Sequence, residues 1–64
     1  MNKDKAFEIL EIEYEASYEE TKSAYKVLVR IWHPDKYIND KVLYDKACSK
    51  MSQINLAWEY LEKN

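Results

Sequence analysis

The chain has no glycine in its 64 residues. That excludes glycine-rich phosphate loops and disfavours two-residue hairpins, whose turns need positive φ. It has one cysteine, Cys48, so an internal disulfide is excluded. One cysteine and one histidine cannot supply four zinc ligands. No run approaches the roughly 20 apolar residues of a membrane span, and no secretory leader pattern opens the chain. The lone thiol fits a reducing compartment such as the cytoplasm, or a piece of a larger protein. Proline also occurs once, in Trp32-His33-Pro34-Asp35-Lys36.

What is present suits one small folded domain: 47% of residues are hydrophobic and 34% charged. The net charge of −2 hides an uneven spread. Residues 1–20 are strongly acidic. Residues 21–36 carry Lys22, Lys26, Arg30 and Lys36 against Asp35 alone, and the remainder balances. A basic segment therefore lies inside an acidic protein.

Apolar spacing predicts three helices and no strand, an all-α fold. The first covers about residues 4–11, with Phe7 and Leu10 on its apolar edge and Ala6 and Ile9 beside them. A helix this short needs tertiary packing to persist. Ser17 followed by Glu20 is a capping-box pattern that starts the second helix at Tyr18. That helix runs to about Trp32, with Ala24, Tyr25, Leu28, Ile31 and Trp32 at apolar spacing. Lys22, Lys26 and Arg30 are four apart and form one stripe. The stripe is either an ordinary solvated face or a binding face. The absence of any acid from Thr21 to Ile31 favours binding.

Pro34 lacks an N–H and disfavours helical geometry at His33, so the second helix stops there. Residues 33–39 then form an exposed loop. Asn39 or Asp40 caps a third helix over about 41–62. Its seam is Tyr44, Ala47, Met51, Ile54, Trp58 and Leu61. Leu28, Ile54, Trp58 and Leu61 read as core, and Cys48 as a half-buried small side chain. Two long helices joined by a short loop make an antiparallel hairpin, with the first helix lying across it.

These residues carry a family likeness. His33-Pro34-Asp35-Lys36 after a capped basic helix resembles the J domain of the DnaJ (heat-shock protein 40) co-chaperones. KAFEILEI is similar to that family's first helix, ASYEETKSAYKVLVRIWHPDK to its second, and KMSQINLAWEYL to its third. The likeness spans roughly residues 4–62, so residues 1–64 read as one J domain. It implies docking on the ATPase domain of a heat-shock protein 70 (DnaK-type) chaperone and stimulation of its ATP hydrolysis, with no catalysis or cofactor in this chain.

The partner-binding residues so implied are His33, Pro34, Asp35 and Lys36 in the loop, Lys22, Tyr25, Lys26 and Arg30 on the second helix, and Met51 at the seam's edge. Asp35 is expected to pair with a partner arginine; the plainer alternative is a turn-making loop aspartate. Tyr25 reads equally as core or as a shared partner face. His33 is expected to bond a terminal carbonyl of the second helix or to favour its dipole. A general-base role for His33 lacks a nucleophile, a metal cluster or a pocket. The expected partners exclude nucleic acid and membrane, and the domain is expected to be a monomer.

The sequence departs from the family where Glu11 replaces a usual glycine, and where Ser23 and Val27 replace frequent cations. The stretch from His33 to Ile54 is about one turn longer than in many relatives. Two rival readings stand beside this one. A helix-turn-helix DNA binder would use Lys46, Lys50, Gln53 and Asn55 of the third helix. A J-like module would bind its partner without activating it.

Overall fold

A computed structural model describes residues 1–63 of the chain. Three α-helices, α1 (Lys3–Ile9), α2 (Tyr18–Trp32) and α3 (Lys41–Lys63), are joined in that order, with a 3₁₀ turn at Pro34–Tyr37 between the last two. No strand occurs among the described residues.

Local chemistry sets the helix starts. The Asn2 side chain accepts the Lys5 N–H at 2.8 Å and opens α1. At α2 the Ser17 hydroxyl accepts the Glu20 N–H at 3.1 Å, and the Glu20 carboxylate accepts the Ser17 N–H at 3.0 Å. Of the two candidate caps for α3, Asp40 serves: its carboxylate accepts the Leu43 N–H at 3.1 Å.

The backbone hydrogen bond from Ser17, and then that from its side chain, hold Glu20 below the usual carboxylate range. A lowered folded-state pKa stabilises above the unfolded value and loses that contribution as pH falls through the folded one. Wild-type protein should therefore lose stability relative to Glu20→Gln as pH drops below about 4.5. Thermal midpoints of both proteins across this range check it; parallel curves would remove Glu20 as the titrating cap.

The end of α1 differs from the sequence reading. The helix stops at Ile9, and Glu11 itself takes the left-handed conformation, φ 59°. The Glu11 N–H bonds the Glu8 carbonyl at 3.0 Å and the Ile12 N–H bonds the Phe7 carbonyl at 3.1 Å. That is a Schellman closure, made here without glycine. Left-handed geometry costs an L-residue about 1–2 kcal/mol, while glycine loses more entropy on folding. Glu11→Gly should stabilise the domain by about 0.5–1 kcal/mol, read as a higher denaturant midpoint. A lower midpoint would mean that the glutamate side chain contributes more than its backbone strain costs.

The hairpin is antiparallel. Near the start of α2, Tyr18 lies beside Trp58, ring centroids 5.7 Å apart. At its end, Trp32 lies beneath the Nζ atoms of Lys46 and Lys50. α1 packs across the pair, and Ala6, Leu10, Leu28, Ile54 and Ala57 form the buried cluster. Ile9, Ile12, Tyr25, Trp32, Met51, Tyr60 and Leu61 pack around it, partly buried. Leu28 and Ile54 are thus core, whereas Trp58 and Leu61 are only half-buried.

Three expectations need correction. Cys48 is exposed, not half-buried. Tyr44 is also exposed: α2 ends against Lys46 and Lys50, so the first turn of α3 has only the 3₁₀ turn beside it. Ile31 is exposed although it shares a side of α2 with Leu28, because it sits at the rim of a groove open to solvent that Leu28 also lines. The buried Thr21 was not foreseen. Its hydroxyl donates to the Ser17 carbonyl at 2.8 Å, which makes burial of this polar group tolerable.

Candidate functional site

The connection between α2 and α3 is built as a braced turn. His33 leaves the helix in extended geometry, φ −60° and ψ 122°, the region imposed on a residue before proline. Pro34 opens the 3₁₀ turn, where its missing N–H costs nothing. The His33 Nδ1 accepts the Asp35 N–H at 3.3 Å. The Lys36 N–H closes the turn on the His33 carbonyl at 3.0 Å.

This differs from one of the two expected roles of His33, the hydrogen bond to a terminal carbonyl of α2. The ring caps the following turn; the carbonyl at the end of α2 is taken by another residue. The Tyr37 hydroxyl donates to the Ile31 carbonyl at 2.7 Å. Its ring lies 6.2 Å from that of Trp32. Lys46 and Lys50 hold the other part of this assembly, their Nζ atoms 5.7 and 5.6 Å from the Trp32 ring centroid. Both lysines, which a DNA-binding reading would assign to base or phosphate contacts, are engaged with an indole.

Nothing in the sequence pattern announces the tyrosine latch, because the bond joins residues six apart across a helix end. Tyr37→Phe should leave the helices intact and cost about 0.5–1.5 kcal/mol. Amide exchange at Asp35 and Lys36 should accelerate while the middle of α2 is unaffected. Unchanged exchange in the turn would show that Pro34 and His33 suffice to brace it.

Asp35 is held at the tip of this turn with its side chain 86% exposed. Its Oδ2 lies 3.7 Å from His33 Nδ1, an atom already accepting a hydrogen bond, so the carboxylate stays available to another molecule. Lys36 is exposed in the same turn and Pro34 half-buried beneath it. The Asp35 charge also reaches α3. The Tyr44 hydroxyl is held above the usual phenol range, first by the neighbouring Cys48 charge and its hydrogen bond, then by burial, Asp35 and Asp45.

Lys22, Lys26 and Arg30 are all exposed. Among the described residues none has a carboxylate partner; the ion pairs are Lys5–Glu8 and Lys41–Asp45, beside the His33–Asp35 contact, which is ionic only when the imidazole is protonated. Tyr25 is committed to the hairpin. Its ring stacks on Trp58 at 5.0 Å and 15°, and its hydroxyl donates to Asn55 at 3.0 Å. Met51 is half-buried against the core cluster. The structure thus gathers the loop residues at one end, lays the cations along α2, and sets Tyr25 and Met51 in the seam between the helices. Among the described residues no group of His, Cys, Asp and Glu could hold a metal ion, and no helix is long and apolar enough to cross a membrane.

The described residues thus form a helical hairpin with an exposed carboxylate on a braced turn at one end and unpaired cations along α2. The DnaJ domain family model matches residues 5–64, and the chain belongs to that family. It is 38% identical over 95% of its length to the chaperone protein DnaJ of Thermosipho melanesiensis, covering 16% of that protein. It is 44% identical over 86% of its length to the DnaJ of Anaplasma marginale, covering 14%. It is 38% identical over 86% of its length to DnaJ homolog subfamily B member 8 of Mus musculus, covering 23%. The chain therefore spans less than a quarter of the length of these relatives. No solved structure gives a significant match.

Proposed function

We propose that this J domain docks on a heat-shock protein 70 (DnaK-type) chaperone and stimulates its ATPase. The His33-Pro34-Asp35 turn acts as the trigger and the basic face of α2 as the guide. The observation that carries this reading is the exposed Asp35 carboxylate on a braced turn, beside cations without acidic partners, in a chain of the DnaJ domain family.

The chain supplies no reacting group of its own. It acts by binding one conformation of the chaperone more tightly than another. A hundredfold acceleration corresponds to about 2.7 kcal/mol of barrier lowering. A carboxylate–guanidinium bond of roughly 1.5–3 kcal/mol is of that size. Lys22, Lys26 and Arg30 steer the approach to an acidic surface, and Lys36 extends that field into the turn. Pro34 and the Tyr37 latch lower the ordering cost of contact. Tyr25 and Met51 act from the seam, by fixing how the cation row and the tip are set relative to one another. The domain acts as a monomer in the cytoplasm, without nucleic acid or membrane.

Single-turnover ATP hydrolysis by a DnaK-type chaperone, with and without this chain, tests the proposal. Acceleration that weakens as salt rises is the expected result. No acceleration despite measurable binding would favour the rival J-like module, a reading to which the exposed Ser23 and Val27 lend support.

A further inference from the structure

The exposed side of α2 has two unlike halves. One is the row Lys22, Lys26 and Arg30. Next to it around the helix lie Val27 and Ile31, one turn apart, 50% and 45% exposed. They border a groove whose other walls are Ala24, Leu28, Trp32 and Leu10, with Glu11 at its edge. The core-facing side of α2 is centred on Thr21 and Leu28, and Val27 and Ile31 lie at its flank, where they stay half-exposed. Two β-branched residues on this helix face give up helix propensity for only partial burial. A soluble surface gains nothing from them.

Charge decides what kind of molecule could cover this lane. The neighbouring cations lack acidic partners among the described residues, so an occupant must bring carboxylates along one edge. Along the next edge it must bring aliphatic side chains. A second copy of the chain fits poorly: lane against lane, it brings no carboxylate to the cation row, because residues 21–31 carry no acid.

We propose that Val27 and Ile31 form an apolar half of the chaperone-docking face, and that they take aliphatic side chains of the same acidic surface read by Lys22, Lys26 and Arg30. This rests on the docking reading above. It adds that the partner surface is mixed, acidic beside aliphatic, and that part of the binding is insensitive to salt. Ionic contacts between exposed groups are screened beyond a Debye length of about 8–10 Å, whereas apolar burial persists in salt.

The test is titration calorimetry of the whole chain against a nucleotide-loaded DnaK-type chaperone at about 50 mM and about 500 mM salt. The Val27→Ser/Ile31→Ser double variant, checked for helicity by circular dichroism, should bind about tenfold more weakly at both salts, as expected when the burial of two half-exposed aliphatic side chains is lost from the complex. Its binding should also show a less negative heat-capacity change. Lys26→Ala should lose affinity at low salt only. Wild-type affinity from the double variant would overturn the lane while leaving the docking reading intact. No binding by the wild type would overturn both. Sedimentation showing a wild-type dimer that the double variant abolishes would assign the lane to a second copy and overturn the proposal.

Discussion

Asp35→Asn abolishes stimulation of a DnaK-type ATPase and leaves the hairpin folded. That is the expected result with the largest functional effect, and it follows from the geometry of the tip. The Asp35 side chain is 86% exposed and takes no part in a helix cap or in the core. The contact that orders the residue is its backbone N–H on His33 Nδ1, and asparagine retains that N–H. Folding should therefore be unchanged within about 0.5 kcal/mol.

The substitution removes the negative charge from an almost isosteric side chain. It also introduces an amide donor where Oδ2 stood, 3.7 Å from the imidazole nitrogen, and so offers the side chain an inward alternative. Losing a charge-assisted bond of about 1.5–3 kcal/mol lowers the stimulated rate roughly 10- to 150-fold, which removes most of a hundredfold effect and, at the upper end, all of it. Single-turnover hydrolysis and a denaturant curve on the same preparation check both halves. Full stimulation by Asp35→Asn would remove the carboxylate from the mechanism.

Leu10→Ala has the largest expected effect on stability. Leu10 is 1% exposed and anchors the short α1 in the cluster with Ala6, Leu28, Ile54 and Ala57. Truncating a buried leucine costs about 2–5 kcal/mol, and more where neighbours cannot close the gap. Ala6 and Ala57, both 0% exposed, are too small to fill it. A domain of this length holds about 3–10 kcal/mol in total. The variant should thus be largely unfolded at 37 °C, with α1 lost first, because its seven residues cannot stand as an isolated helix. Denaturant unfolding followed by circular dichroism measures it. A loss below 1 kcal/mol would show that α1 is not integral to the core.

The two variants also separate roles that a family likeness merges. On these expectations Asp35 is dispensable for folding and required for contact, whereas Leu10 is buried and required for the scaffold. Between them lies Tyr37, whose hydroxyl ties the tip to the last turn of α2. No spacing rule marks it, and a position-by-position likeness does not flag it either. A tyrosine in a loop reads as surface until the fold places a free carbonyl opposite it.

What could be read without coordinates was local. The Ser17–Glu20 box, the stop before Pro34 and the four-residue spacing of Lys22, Lys26 and Arg30 all involve groups within a turn or two of each other. There the backbone period alone dictates who meets whom. The all-helical class followed from the same short-range patterns, and the family from the likeness of the three helical stretches and the His33-Pro34-Asp35 turn to the J domain.

Tertiary packing decided the rest. Apolar spacing marked Ile31, Tyr44, Ile54 and Leu61 alike, yet only Ile54 is fully enclosed, because only there do all three helices converge. The left-handed Glu11, the indole under two lysines and the exposed Val27–Ile31 lane share that origin. Burial and cross-helix contact depend on where rods of unequal length cross, and that crossing is a property of the whole packed chain, set by no segment alone.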